Sequence, residues 1–165
     1  MQSSKSTPTT GPSARSRSVS VVGLLLLFTL TGCDTLRARF RAREGVDRYH
    51  ASDYRGAATK FEEASQLDPK LAVLPLNAGT SNLALFRAAG GKTPEGQAAA
   101  SKAIAAYERY LELKPQDERV KAALVQTFVE TGRYEDAVAF FRKDVERNDV
   151  EALSVLATVA TKCGK

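Results

Sequence analysis

From Thr35 onward apolar residues recur at intervals of three and four, and no strand-length stretch alternates apolar and polar one by one. With about 3.6 residues per turn, that spacing returns side chains to one face of a helix. Alanine is abundant in the same region and favours the same state. The domain is therefore expected to be all-α. Upstream the pattern changes. Residues 1–18 are polar and rich in Ser, Thr and Pro, and residues 21–30 (VVGLLLLFTL) form a nearly continuous apolar run. As a helix that run spans roughly 15 Å, about half of a hydrocarbon core. It is short for a transmembrane helix and has the length of the apolar core of a secretory signal.

Within the helical region one unit recurs. The segments are DYRGAATKFEEASQLDP (53–69), GQAAASKAIAAYERYLELKP (96–115) and RYEDAVAFFRKDVERND (133–149). Aligned on Ala57, Ala103 and Ala137, they superpose Phe61, Tyr107 and Phe141, and they place Pro69 and Pro115 in one column with Asp149. The second and third units are 34 residues apart (Ala103 to Ala137), whereas the first and second are 46 apart (Ala57 to Ala103). The extra residues fall near 87–98, RAAGGKTPEGQA. There Gly90 and Gly91 break one helix, and Thr93-Pro94-Glu95 reads as the N-cap and first turn of a long second helix over about 94–113.

The unit resembles the tetratricopeptide repeat (TPR), a pair of antiparallel helices with a period of about 34 residues. Ala57, Ala103 and Ala137 match its second-helix alanine, and Phe61, Tyr107 and Phe141 match the aromatic that follows. Ala64 matches the next small position, Gly45 and Gly79 the small residue of the first helix, and Tyr54 and Tyr134 the start of the second. Asn77-Ala78-Gly79 is similar to the family's Asn-Leu-Gly, and Gly132 stands in the interhelix turn. Small residues let two helices approach closely, the aromatic is expected to fill the gap to the neighbouring repeat, and proline stops the second helix. The chain departs from the pattern at Arg48, with Tyr49 one step late, at Tyr110 and Asp144 where alanine is usual, at Val125 where a small residue is usual, and at Asp149.

The resemblance implies a short right-handed superhelix of helix pairs, an α-solenoid. Three TPR-like pairs are expected over residues 38–149, with the insertion near 87–98 in the second. Residues 150–165 (VEALSVLATVATKCGK) are expected to form a terminal capping helix or a truncated fourth repeat. Val155 and Val159 are expected on the free side of that helix, which makes it an apolar cap and points to a longer array. The resemblance further implies a concave groove lined by the first helices that binds a protein or peptide. Tyr49, Leu76, Asn77, Thr80, Leu83, Arg119, Gln126 and Val129 are the candidate partner-binding residues. The family's carboxylate clamp needs Lys and Asn where Ala42 and Val46 stand, so that specificity is not expected. Self-association of the chain through exposed repeat ends is the alternative, as a structural module of an envelope complex.

Charge changes this picture only near the amino terminus. The formal net charge of +5 includes Lys5, Arg15 and Arg17 from a segment without acids. Without those three, 21 basic residues face 19 acidic ones, so nucleic acid is not an expected partner. A local cluster, Arg37, Arg39, Arg41 and Arg43, suits lipid phosphates or a solvated helix start. Just before it, Leu30-Thr31-Gly32-Cys33 resembles the bacterial lipobox, which implies a signal peptide over residues 1–32, lipidation of Cys33 and a lipid-anchored tether over 33–37. Two or three acyl chains hold a protein durably at a bilayer. In plan the chain is similar to bacterial TPR lipoproteins that assist outer-membrane assembly or pilus secretion. The expected location is a membrane surface facing the periplasm or the exterior. Asp34 resembles an inner-membrane retention signal, and the choice of membrane stays open.

No catalytic constellation stands out, and no cofactor is expected. Cys33 and Cys163 are the two cysteines and His50 is the single histidine, too few for a His/Cys metal site. Gly91-Lys92-Thr93 mimics the end of a phosphate loop, but Phe86 stands where that motif needs its first glycine, so no nucleotide is expected.

Overall fold

The computed structural model describes residues 21–145, 154, 157 and 159–161, with side chains over 33–142 and at those last five positions. Six helices follow one another among the described residues: α1 (Val21–His50), α2 (Tyr54–Leu67), α3 (Val73–Ala88), α4 (Pro94–Leu113), α5 (Glu118–Thr131) and α6 (Tyr134–Val145). Each packs chiefly on its neighbours in the chain. Ion pairs join α2 to α4 (Lys102–Glu62, 3.2 Å) and α3 to α5 (Arg87–Glu130, 2.6 Å). Alternate helices thus lie side by side in two layers, and the architecture is an all-α solenoid of the TPR type.

Helix ends follow local chemistry. Asp53 accepts a hydrogen bond from the Gly56 amide (2.9 Å) and starts α2, and Thr93 accepts one from the Gly96 amide (3.0 Å) and starts α4. Asp117 accepts from the amides of Arg119 and Val120 and starts α5. Each connection within a pair turns on a left-handed residue: Ser52 (φ 60°), Gly90 (φ 75°) and Gly132 (φ 72°). Gly132 carries the C-cap of α5, a conformation open to glycine because no Cβ opposes it.

The close approach of paired helices has a concrete form. A Cβ on Gly45 would lie 2.9 Å from the Phe61 ring, and one on Gly79 would lie 2.8 Å from the Tyr107 ring. Each aromatic therefore rests on the glycine of its own pair. Phe61 also clusters with Ala78 of the next pair, so it fills the expected inter-repeat gap as well. In the third pair Val125 replaces the glycine, and it packs on a cluster that contains Leu124, Phe128 and Phe141.

The longer second pair distributes its extra residues over three places. Counted from the glycine position, α3 runs three residues beyond its counterpart α5, the connection 89–93 is three longer than 132–133, and α4 starts six residues earlier than α6 relative to its alanine. The result is a hairpin that projects past its neighbours by one to two helical turns.

Two expectations change. Residues 33–37, expected as a tether, are helical and continuous with α1. No proline interrupts this stretch, and a single Gly32 costs only about 1 kcal/mol in a helix interior. Val159, expected on a free apolar side, is 1% exposed and belongs to the same cluster as Phe128 and Phe141, so its side chain packs onto the third pair. Val155, Cys163 and most of the proposed terminal helix lie outside the described residues, as does residue 149.

Candidate functional site

On the layer formed by α1, α3 and α5 a notch of about 180 Å³ opens between the first two pairs. Val46, Tyr49 and His50 of α1 form one wall, Asn77, Thr80 and Ser81 of α3 form the other, and Phe61 of α2 closes the floor. The notch exists because of the glycine contacts. Gly45 lets Phe61 sink toward α1, and Gly79 lets Tyr107 sink toward α3, so a side chain at either glycine would meet a ring.

Tyr49 is half-buried against the cluster of Ala57, Phe61 and Ala78, and its ring meets Tyr54 edge-on with centroids 5.3 Å apart. The one-residue shift noted at Arg48 is thereby resolved. Tyr49 takes the inward position, while Arg48 turns outward and donates to Asp53 (2.6 Å), the cap of α2. That contact and the Gly56 amide, the larger cause, hold the Asp53 carboxyl below its ordinary range.

The polar groups of the notch differ in availability. Thr80 donates to the Leu76 carbonyl (3.0 Å), and its hydroxyl lies 3.4 Å from that of Tyr107. Burial pushes the Tyr107 hydroxyl above its ordinary pKa. Ser81 donates to the Asn77 carbonyl (2.8 Å). The Asn77 side-chain amide lines the notch and has no hydrogen-bond partner among the described residues, so its donor and acceptor stay available.

The other candidates fall into separate places. Leu76 is half-buried against the cluster shared by α4 and α5, and Val129 packs on the same cluster from α5. Gln126 is exposed on α5. Arg119 is exposed at the α4–α5 turn, beside Pro115, Gln116 and Asp117, away from the notch. Leu83 is corrected: it is 9% exposed and packs with Phe86, Ala99, Ala100 and Ala103. Ala99, Ala100 and Ala103 of α4 lie over this face of α3, so Leu83 is core and not groove.

Two features were missed by sequence reasoning. Arg87 forms a two-pronged contact with Glu130 (Nε to Oε1 2.6 Å, Nη2 to Oε2 2.7 Å). It lowers the Glu130 carboxyl below its ordinary 4.5, chiefly through this hydrogen bond, and the guanidinium is raised in turn. Arg87 stands on the extra turn of α3, and that extension is the signal that pointed to it. Tyr110, noted as a departure from alanine, donates its hydroxyl to Asp117 (2.6 Å) and ties the end of α4 to the cap of α5. That hydrogen bond, the leading cause in each case, raises the Tyr110 hydroxyl and lowers the Asp117 carboxyl. A large residue in an alanine position is the only trace it left in the sequence.

The comparison with protein families now meets this geometry. Residues 95–160 match the family model described as Tetratricopeptide repeat. The match covers nearly all of α4 together with α5 and α6. The first pair and α3 lie outside it, and the two pairs they build share one packing, with Gly45 under Phe61 as Gly79 lies under Tyr107. No curated protein matches the chain. Tetratricopeptide repeats generally mediate protein–protein interaction, and the open polar group in the α1–α3 notch is of the kind such binding uses.

Proposed function

We propose that this protein is a bacterial lipoprotein whose TPR scaffold binds a protein or peptide at the cell envelope, with the α1–α3 notch as the anchor point. The observation that carries the binding reading is the notch itself: an aromatic floor, Phe61, between mixed apolar and polar walls, with one unengaged amide, Asn77, at its edge. A partner backbone satisfies that amide, and an apolar side chain fills the space beside Phe61. The arrangement supports recognition.

The envelope placement is supported by the lipobox-like Leu30-Thr31-Gly32-Cys33 after a short apolar run, and by the exposure of Cys33. No helix among the described residues is long and apolar enough to cross a membrane. A cut before Cys33 leaves that cysteine as the first residue of the remaining part of α1, where acyl chains hold the array close to the bilayer.

A crosslinking pull-down from native membranes tests the binding reading. Thr80→Arg and Asn77→Asp should abolish capture of a partner while circular dichroism stays unchanged. If capture persists and only self-association is lost, the chain is an oligomerising module instead. Labelling with a palmitate analogue tests the anchor. Cys33→Ala should lose the label, and a variant that keeps it would sink the lipoprotein reading.

A further inference from the structure

We infer that the outward face of α1 between Cys33 and Arg43 is a membrane-contact surface that lies on an anionic bilayer. The inference rests on the membrane placement proposed above. Ala38 and Gly45 of α1 are buried toward α2. At about 3.6 residues per turn, the opposite side carries Cys33, Leu36 and Phe40 in one stripe. Leu36 is 56% and Phe40 63% exposed, the two most exposed large apolar side chains among the described residues.

The flanks of the stripe are basic. Arg37 borders one edge, and Arg43 and Arg39 border the other. Arg39 and Arg43 have no ion pair among the described residues, and Arg37 reaches Asp34 only at 3.8 Å. Arg41, by contrast, faces inward to Glu44 (3.1 Å) and Glu63 (3.6 Å) and belongs to the fold. Over residues 33–43 four arginines stand against Asp34 alone. Asp47 and Glu44 follow on the same side nearer the end of α1, and Glu44 is engaged by Arg41 and Lys60. The apolar and basic character is therefore confined to the part of α1 nearest Cys33.

A leucine and a phenylalanine flanked by exposed arginines, two of them without an ion pair among the described residues, match the layered chemistry of a bilayer surface. Apolar side chains enter below the headgroups while guanidinium groups stay at the phosphates. An acidic protein surface would pair with the arginines but leave Leu36 and Phe40 without an apolar counterpart. Cys33 on the same stripe places an attached acyl chain on the side that the residues themselves favour. Val46, Tyr49 and His50 lie toward the other end of α1, so the notch stays open when this face is down.

The chain contains no tryptophan, so Phe40→Trp supplies a single fluorescent reporter. The full chain, with Cys33→Ser to remove the acyl attachment point, is mixed with vesicles of phosphatidylcholine and phosphatidylglycerol that carry brominated acyl chains. Flotation of the protein with the vesicles reads whether the polypeptide itself binds the bilayer without its acyl chains, and quenching of the indole reads the face. The expected result is strong quenching at Phe40→Trp and none at Val138→Trp, an exposed position on α6. Arg39→Ala with Arg43→Ala should shift the balance between lying and lifted α1 by roughly thirtyfold, since each arginine near an anionic surface contributes on the order of fivefold. High salt should act in the same direction. Protein that does not float overturns this inference alone, because the acyl attachment point has been removed; the lipid-anchor reading stands or falls separately with palmitate labelling at Cys33. Protein that floats with an unquenched indole at Phe40→Trp overturns the face alone. A concentration-dependent blue shift without lipid overturns it in favour of a second copy of the chain, and a shift on adding an acidic protein in favour of a protein partner.

Discussion

In the first two helix pairs a glycine of the first helix lies under an aromatic ring of the second, Gly45 under Phe61 and Gly79 under Tyr107. In the third pair Val125 stands in the glycine position, and the space around Phe141 is filled by Leu124, Phe128 and Val159. The same repeat position thus accepts two packing solutions. One uses backbone contact with a ring, and in the first pair a notch opens beside that ring. The other uses side-chain volume. A groove residue is therefore best sought beside the glycine pairs, and a stability-determining residue in the third pair.

The largest expected effect tests the volume solution. Phe128→Ala removes a fully buried ring from the third pair and should cost about 3–5 kcal/mol in chemical denaturation. If it costs less than 1, the third pair is not held by volume and the contrast fails. Next comes the backbone solution. Gly79→Val forces a side chain into the Tyr107 ring and should cost about 1–3 kcal/mol, while Val125→Ala in the third pair should cost only about 1 because the site is half-buried. The reverse order, measured in the same urea titrations, would show that the two positions are not equivalent.

A smaller effect probes the lengthened hairpin. Thr93→Ala removes the cap of α4 and should cost about 1 kcal/mol, with faster amide exchange confined to the first turn of that helix. Smallest is the α3–α5 contact. Arg87 depresses the Glu130 carboxyl below its ordinary 4.5, so its contribution is present above that value and lost as pH falls through the lowered one. Both groups are partly solvated, and the pair should contribute about 1 kcal/mol or less. The stability difference between wild type and Glu130→Gln should be clear at neutral pH and shrink in strong acid. A difference that grows on acidification would have the wrong sign for this contact.

Much of the fold was legible because the signals were local. Thr93-Pro94 marked the start of α4, Gly132 the end of α5, and the alanine and aromatic columns marked which faces meet. The candidate site was less legible. Tyr49, Asn77 and Thr80 do converge on one notch, but Leu83 is covered by α4, and Arg119 stands apart at a turn. A repeat register assigns a residue to a face of its own helix. It does not say how the next helix lies across that face, and Ala99, Ala100 and Ala103 of α4 bury Leu83. At Cys33 the lipobox-like pattern carried no information on whether the backbone there is helical, and it is helical.

The sequence by itself determined the all-helical pattern, the helix ends and the small and aromatic positions of each pair, because capping and periodicity are satisfied within a turn or two of chain. Only the tertiary structure decided which groove positions stay open, that Arg87 engages Glu130, that Tyr110 ties α4 to the cap of α5, and that Val159 is core. Those outcomes depend on where a neighbouring helix lies across tens of residues, and that placement follows from the summed packing of the array.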